Sequence, residues 1–316
     1  MKRLLAAAAL ALAAPLHAKA LPPRVIEIDV AKASEPVDRF FDLSIGSDYP
    51  GTLRRDDSQA QLAIAVRELG FRSVRFHAIF HDVLGTVKVD NGRTTYDWRE
   101  IDRLYDALLA KGIKPFVELG FTPAAMKRSD QTIFWWKGNT SHPEPKAWAA
   151  LVDAFVRHLR DRYGAEEVRR WPFEVWNEPN LDGFWEKADR DAYFALYDST
   201  ARTIKAIDPH IQVGGPSTAG AAWVPEFLDH VARNGTPVDF VTTHSYGVDG
   251  GFLDEEGKQD TKLSASPDAI VGTSGESASK LRRRNFPDCR STSPSGAPAT
   301  RRAISSTIVT SARPTS

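Results

Sequence analysis

The sequence predicts an α/β fold, a (β/α)8 TIM barrel that is incomplete as written, with about six βα units. Three observations predict it. Short apolar strand patterns alternate with amphipathic helix patterns from residue 43 to residue 243. The connections are short on one side and long and aromatic-bearing on the other, and polar groups capable of chemistry fall at the strand tips. A doubly wound nucleotide-binding sheet is excluded, because no GxGxxG opens a helix after the first strand and no GxxxxGK[ST] occurs. A barrel needs eight units in about 250 residues; this chain supplies six.

The first strand pattern is 43–46. Asp56-Asp57-Ser58 then open a helix with Leu62, Val66 and Leu69 on one face, closed by Gly70. The second strand, 73–76, is followed after a long loop by a helix with Ile101, Leu104, Tyr105, Leu108 and Leu109 at i, i+3, i+4, i+7, i+8 spacing before Gly112. The third strand is 113–119, and its helix carries Trp148, Leu151, Val152, Phe155, Val156 and Leu159 up to Gly164. Between them runs a loop with Phe121, Trp135, Trp136 and His142. Long loops in compact domains are usually functional, and two adjacent tryptophans suit either a wall of a binding cleft or packing that plugs the barrel mouth. The fourth strand is 173–176, with Tyr193, Leu196, Tyr197, Ile204 and Ile207 along the helix before Asp208-Pro209. The fifth is 211–213, with Val224, Phe227, Leu228 and Val231 before Asn234-Gly235, and the sixth is 238–243.

Composition narrows the function. A 316-residue chain with 42% hydrophobic residues can bury a sizeable core, and 41 basic against 41 acidic residues argue against a nucleic-acid or membrane-surface partner. The single cysteine, Cys289, excludes an internal disulfide, a zinc knuckle and a CxxC redox pair. Lys2-Arg3, the apolar run 4–16 and the small residues Ala18 and Ala20 match a secretory signal peptide over 1–20. That run is too short to span a bilayer. The expected destination is the periplasm or the exterior.

The candidate chemistry centres on Val175-Trp176-Asn177-Glu178-Pro179-Asn180. Pro179 lacks a backbone donor and bars the preceding residue from the right-handed helical region, so a strand ends here with Glu178 at its tip. Trp176 and Trp185 flank it as expected platforms for sugar rings. Arg75 and His77 follow strand two, Glu118 to Phe121 strand three, and His244-Ser245-Tyr246 strand six. Such convergence is the layout of an active site at a barrel's upper face. Arg75 could instead pair with a barrel carboxylate such as Glu118, and His244 could be a core histidine. His77 and His81 stand four apart, as a helical zinc pair would, but His77 directly follows a strand pattern, so no metal or other cofactor is assigned.

Five motifs in order resemble glycoside hydrolase family 39, part of the clan of retaining (β/α)8 glycosidases that contains β-xylosidases and α-L-iduronidases. They are R-F-H-x-I-F-x-D at Arg75 to Asp82, E-L-G-F-x-P at Glu118 to Pro123, W-N-E-P-N-L at Trp176 to Leu181, G-G-P at Gly214 to Pro216 and T-H-S-Y at Thr243 to Tyr246. W-N-E-P alone would mark only the clan. The resemblance implies that Glu178 is the general acid/base and Asn177 the partner of the sugar 2-hydroxyl. It places His244 and Tyr246 near the nucleophile and subsite wall, and His77 and Phe121 along the sugar subsite. Retaining cleavage takes two carboxyl groups about 5 to 5.5 Å apart, one protonating the leaving oxygen while the other attacks the anomeric carbon.

The second carboxylate is where the chain departs from the family. The family's nucleophile comes from strand seven, in an aromatic-Thr-Glu-Trp stretch, and none follows Tyr246. Asp254, Glu255 and Glu256 lie in a polar loop too close behind strand six, and Glu276 and Asp288 lie where no strand pattern exists. After Gly272 tryptophan and tyrosine vanish and Ser, Thr, Arg, Pro and Ala dominate, so 273–316 is expected to be an aberrant, disordered tail behind a barrel domain of 21–272. A frameshift just after Gly272 explains this. If Arg290 to Gly296 is encoded CGC TCT ACT TCA CCG AGT GGA, reading from the last base of the arginine codon gives Leu-Tyr-Phe-Thr-Glu-Trp, the missing motif. The same offset over Thr273 to Arg283 permits a helix-forming Asp-Val-Arg-Arg-Val-Arg-Glu-Gln-Ile-Glu-Ala. The expected function is a secreted, retaining, exo-acting β-xylosidase on xylo-oligosaccharides or aryl β-xylosides, inactive as written. The alternatives are a non-catalytic carbohydrate-binding remnant and an α-L-iduronidase-like glycosidase.

Overall fold

Six parallel strands pair in sequence order to form one sheet: β1 (Ser44–Gly46), β2 (Ser73–Phe76), β3 (Lys114–Leu119), β4 (Pro172–Val175), β5 (Gln212–Ala219) and β6 (Phe240–His244). The computed structural model describes residues 39–246 throughout, with 25, 27, 29–32 and 36 before them and 248–249, 262–264, 266 and 307–311 after. Two units divide the chain, 1–38 and 39–316. In the first, a turn of 3-10 helix at Val30–Lys32 carries an ion pair from Lys32 to Asp29. The second holds the sheet. The expected signal peptide lies outside the described residues, among which no helix is long and apolar enough to cross a membrane.

Among the described residues the five helices of eleven residues or more alternate with the strands, and their ends are set by local chemistry. Helix α1 (Asp56–Leu69) begins with two aspartates at its positive end and stops at Gly70, whose φ of 75° favours a residue without Cβ. Helix α2 is Arg99–Leu109. Helix α3 (Pro145–Tyr163) opens with proline in its first turn and a Glu144 carboxylate that accepts from Ala147 N. Asp189 caps α4 (Arg190–Ile207) in the same way, and Gly235 ends α5 (Val224–Asn234). The predicted faces of α2 through α5 supply the core: Ile101, Tyr105, Trp148, Phe155, Tyr193, Tyr197, Val224 and Phe227 are all fully buried. On α1 only Leu62 of the expected face is buried, and Leu69 is exposed. Among the described residues β1 pairs with β2 alone, so α1 has a described strand neighbour to cover on one side only.

Three departures from the sequence reading stand out. The long loop after β2 contains a hairpin, Val87–Asp90 with Arg93–Tyr96, closed by Asn91-Gly92 at φ 47° and 76°. Asn-Gly between alternating residues is the signal for such a turn. The tryptophan loop is likewise a short hairpin, Thr132–Ile133 with Gly138–Asn139. β5 continues well past Val213, through Gly214, Gly215 and Pro216, residues that normally punctuate. Here the glycine is demanded by packing, because a Cβ on Gly214 would stand 2.4 Å from the carbonyl oxygen of Phe240 on the next strand. Gly214→Ala is therefore expected to lower unfolding free energy in urea by about 1–3 kcal/mol, the usual cost of overpacking.

Of residues 273–316, for which the sequence predicts no regular structure, 307–311 lie within the described set. They form a strand, β7 (Thr307–Ser311), antiparallel to β6 from Phe240↔Ser311 to His244↔Thr307. The run Thr307-Ile308-Val309-Thr310 is β-branched throughout, which suits extended backbone.

Candidate active site

The parallel register brings Glu118 of β3 directly beside Glu174 of β4. Both side chains are fully buried. Two buried like charges on neighbouring strands are unfavourable unless a cation meets them. Arg75 of β2 meets both. Its Nε donates to Glu174 Oε2 at 2.7 Å, and Nη2 lies 2.9 Å from Glu118 Oε2. Nη2 also donates to Asn177 Oδ1 at 2.9 Å and to the Ser217 hydroxyl at 3.1 Å. Burial works against the guanidinium charge, but Glu174 and Glu118 outweigh it and hold Arg75 above its ordinary value. Burial also opposes ionisation of Glu118, and the charges of His77 and Arg75 reverse it, so Glu118 titrates below the ordinary carboxylate range. The expected Arg75–Glu118 pair is present, and Arg75 does more than pair.

Glu178 is a third carboxylate with a different environment. At the β4 tip Trp176 and Glu178 both take left-handed backbone, φ 70° and 44°, so the strand breaks where Pro179 required it. Glu178 N donates to Ser217 O at 2.9 Å, while Asn180 accepts from Ala219 N and donates to Ala219 O. The β4 tip is thereby pinned to β5. The Glu178 carboxylate, 8% exposed, meets His244 Nδ1 at 2.7 Å, and His244 Nε2 lies 3.3 Å from the Ser217 hydroxyl. Tyr246 stands edge-on to His244, with ring centres 6.5 Å apart, and is partly open to solvent. Burial and then the Glu178 carboxylate raise its phenol.

His77 Nδ1 lies 2.7 Å from Glu118 Oε2, which orients the ring and leaves Nε2 without a partner among the described residues. Phe121 stacks behind His77 at 6.2 Å and is itself buried against Trp136 and Trp176. It backs the histidine rather than presenting a face. Phe134 covers His77 at 5.7 Å. The sequence-predicted residues thus form two groups, Glu178-His244-Tyr246 and His77-Phe121, joined through Arg75, which also holds Asn177.

One expectation changes. Trp176 and Trp185 are 0% and 1% exposed and donate to the carbonyls of Phe184 and Asp189, so they are packing for the acid loop and not sugar platforms. Of the loop tryptophans, Trp136 is buried against Tyr49, while Trp135 is 73% exposed. His81 spends both ring nitrogens, accepting from Val83 N and donating to Trp136 O, which leaves no lone pair for a metal. Glu174 and Ser217 were missed in the sequence. A lone charge inside Phe173-Glu174-Val175 was a signal for the first, whereas nothing local singled out the second.

Comparison with known proteins places this site. The family model of Glycosyl hydrolases family 39 matches residues 24–267. A β-xylosidase of Geobacillus stearothermophilus is 43% identical over 209 residues, covering 64% of this chain and 42% of that protein. One of Caldicellulosiruptor saccharolyticus is 40% identical over 229 residues, 72% of this chain and 47% of that protein. The crystal structure of a monomeric β-xylosidase from Caulobacter crescentus CB15 superposes with a TM-score of 0.75 at 73% identity, over 83% of this chain and 53% of that one. The chain spans about half the length of the relatives it matches, and the six parallel strands of its sheet correspond to part of their barrel. With its five motifs gathered on these strand tips, the chain belongs to glycosyl hydrolase family 39.

Proposed function

We propose that this chain carries the acid/base half of a retaining, exo-acting β-xylosidase site, with a xylo-oligosaccharide or aryl β-xyloside as substrate and no cofactor. One observation carries the proposal. Of the three buried carboxylates at the strand tips, Glu118 and Glu174 are locked onto Arg75, while Glu178 is bonded to the imidazole of His244. A general acid must give up a proton and take it back, and only the third can do so without stripping a buried cation of its partner. Asn177, its carbonyl fixed by Arg75, offers its amide donors to a sugar hydroxyl, and His77 Nε2 is free for another. Tyr246 and His244 border the acid.

The similarity to β-xylosidases supports xylose over a uronic acid. An iduronate-like sugar carries a carboxylate at C5, and Arg75 Nε and Nη2 already donate to Glu174, Asn177 and Ser217. Xylobiose binding tests the reading. Saturation-transfer NMR on the 316-residue chain should detect xylobiose in preference to a methyl uronide, and His77→Ala should weaken it about five- to ten-fold, the value of one or two hydrogen bonds. Equal contact with both sugars, or indifference to His77→Ala, would count against the assignment.

Secretion belongs to the same proposal. A cleavable signal over 1–20 puts the mature amino terminus near Lys19 or Leu21. Amino-terminal sequencing of protein recovered from the cell envelope checks this, and an intact Met1 there would refute it.

A further inference from the structure

Ser217 occupies left-handed backbone, φ 54°, inside β5, and it is fully buried. A residue with a side chain is disfavoured in that region and glycine is the relaxed choice. The strain is held at a position where the hydroxyl touches two functional groups, Arg75 Nη2 at 3.1 Å and His244 Nε2 at 3.3 Å. A guanidinium can only donate, so Arg75 takes one lone pair of the hydroxyl. One lone pair and one hydrogen remain for His244 Nε2.

We infer that Ser217 is a positioning residue which lets the Glu178–His244 pair gain or lose one proton without leaving a ring nitrogen unpaired. This rests on the reading of Glu178 as acid/base. In the unloaded pair the Glu178 carboxylate accepts from His244 Nδ1–H, and the Nε2 lone pair accepts from the Ser217 O–H. Adding a proton reverses the second bond. Nε2 takes up the added proton and donates to Ser217 Oγ, the hydroxyl rotates its own hydrogen away, and the original Nδ1 proton stays between His244 Nδ1 and Glu178 Oε1. No covalent bond to Ser217 forms or breaks. Loss of the added proton from Nε2 restores the first arrangement, so Glu178 keeps its hydrogen-bond partner in both states. Alanine at 217 would abandon Nε2 in both states, and an acceptor-only group would suit just one.

The charged groups facing the pair leave this task to the hydroxyl. Arg75 on β2 has only donors, Glu118 on β3 and Glu174 on β4 are held by Arg75, and Tyr246 after β6 meets His244 by its ring edge. Each is fixed in one role. Among these neighbours Ser217 is the one whose hydroxyl lies within hydrogen-bond reach of His244 Nε2, and a hydroxyl can both donate and accept.

The test is spectroscopic and needs no turnover. In the 316-residue chain with histidine-selective 15N labelling, His244 is assigned by the resonances lost in His244→Asn. Two variants remove the hydroxyl: Ser217→Gly, which also relaxes the left-handed backbone, and Ser217→Ala, which keeps the Cβ. Above the titration of the pair, the parent should show Nδ1 protonated and Nε2 unprotonated. In both variants Nε2 should move downfield towards a free imine nitrogen while Nδ1 stays protonated. An unmoved Nε2 in Ser217→Gly, or a parent His244 with its hydrogen on Nε2 throughout, overturns the proposal. If Glu178 instead fails as the acid in hydrolysis, the nitrogen shift is unaffected, so the two readings fail separately.

Discussion

A protein of these 316 residues is expected to leave aryl β-xylosides uncleaved, and the same protein restored in frame after Gly272 is expected to hydrolyse them with retention. The first half follows from counting carboxylates by role. Glu178 can donate a proton, but a general acid contributes only about 10² to 10⁴ in rate, and retention needs an attacking carboxylate about 5 to 5.5 Å away. Glu118 and Glu174 cannot attack, because both are buried at 0% exposure on Arg75. The second half follows from the Leu-Tyr-Phe-Thr-Glu-Trp stretch that a shifted frame would supply, given the codons CGC TCT ACT TCA CCG AGT GGA for Arg290 to Gly296, where a seventh strand is due. In the repaired protein Glu178→Ala should cripple substrates with poor leaving groups. Added azide should partly rescue good ones and yield a β-configured glycosyl azide. Normal turnover by the written chain, or a repaired enzyme indifferent to Glu178→Ala, would show that the roles are misassigned. Sequencing the gene across the Gly272 codon separates a shifted frame from a true tail.

Much of this architecture could be read from periodicity, because helix faces and strand runs are local signals. Ile101, Leu104, Tyr105 and Leu108 were a legible stripe, and all four are buried. The position of Glu178 was legible too, since Pro179 bars the residue before it from right-handed helical backbone and the strand ends just short of it. What escaped was set by groups distant in the chain. Gly214-Gly215-Pro216 reads as a stop, yet the strand continues because Gly214 fits beneath Phe240 of the next strand. Trp176 and Trp185 read as sugar platforms because residue type does not reveal exposure, and the fold turned both inward against Phe121, Trp148 and Tyr193. Ser217 has no sequence signature, and its role depends on partners 142 positions before it and 27 after.

The largest expected loss of stability is at Arg75. Arg75→Met keeps the volume of the stem but removes every donor, leaving Glu118 and Glu174 side by side in register without the guanidinium they share, and Glu118 with His77 alone. Breaking a buried ion pair from one side costs about 3–5 kcal/mol, a large part of the roughly 5–15 kcal/mol that holds a domain folded. Arg75→Lys should recover little, because a point charge cannot serve Glu118, Glu174, Asn177 and Ser217 at once. The pH dependence gives the deficit a signature. Glu118 titrates below its ordinary value in the folded protein, so its contribution is fully present above the unfolded pKa of about 4.3 and is lost as pH falls through the lower folded value. Without Arg75 that depression shrinks, and Glu118 of the variant accepts its proton at higher pH than in the parent. Urea denaturation should therefore show the widest gap between parent and Arg75→Met near neutrality and a narrowing gap below about pH 4. A gap under about 1 kcal/mol at neutral pH, the scale of a surface pair, or one that widens in acid, would mean that Arg75 does not neutralise the barrel's buried carboxylates.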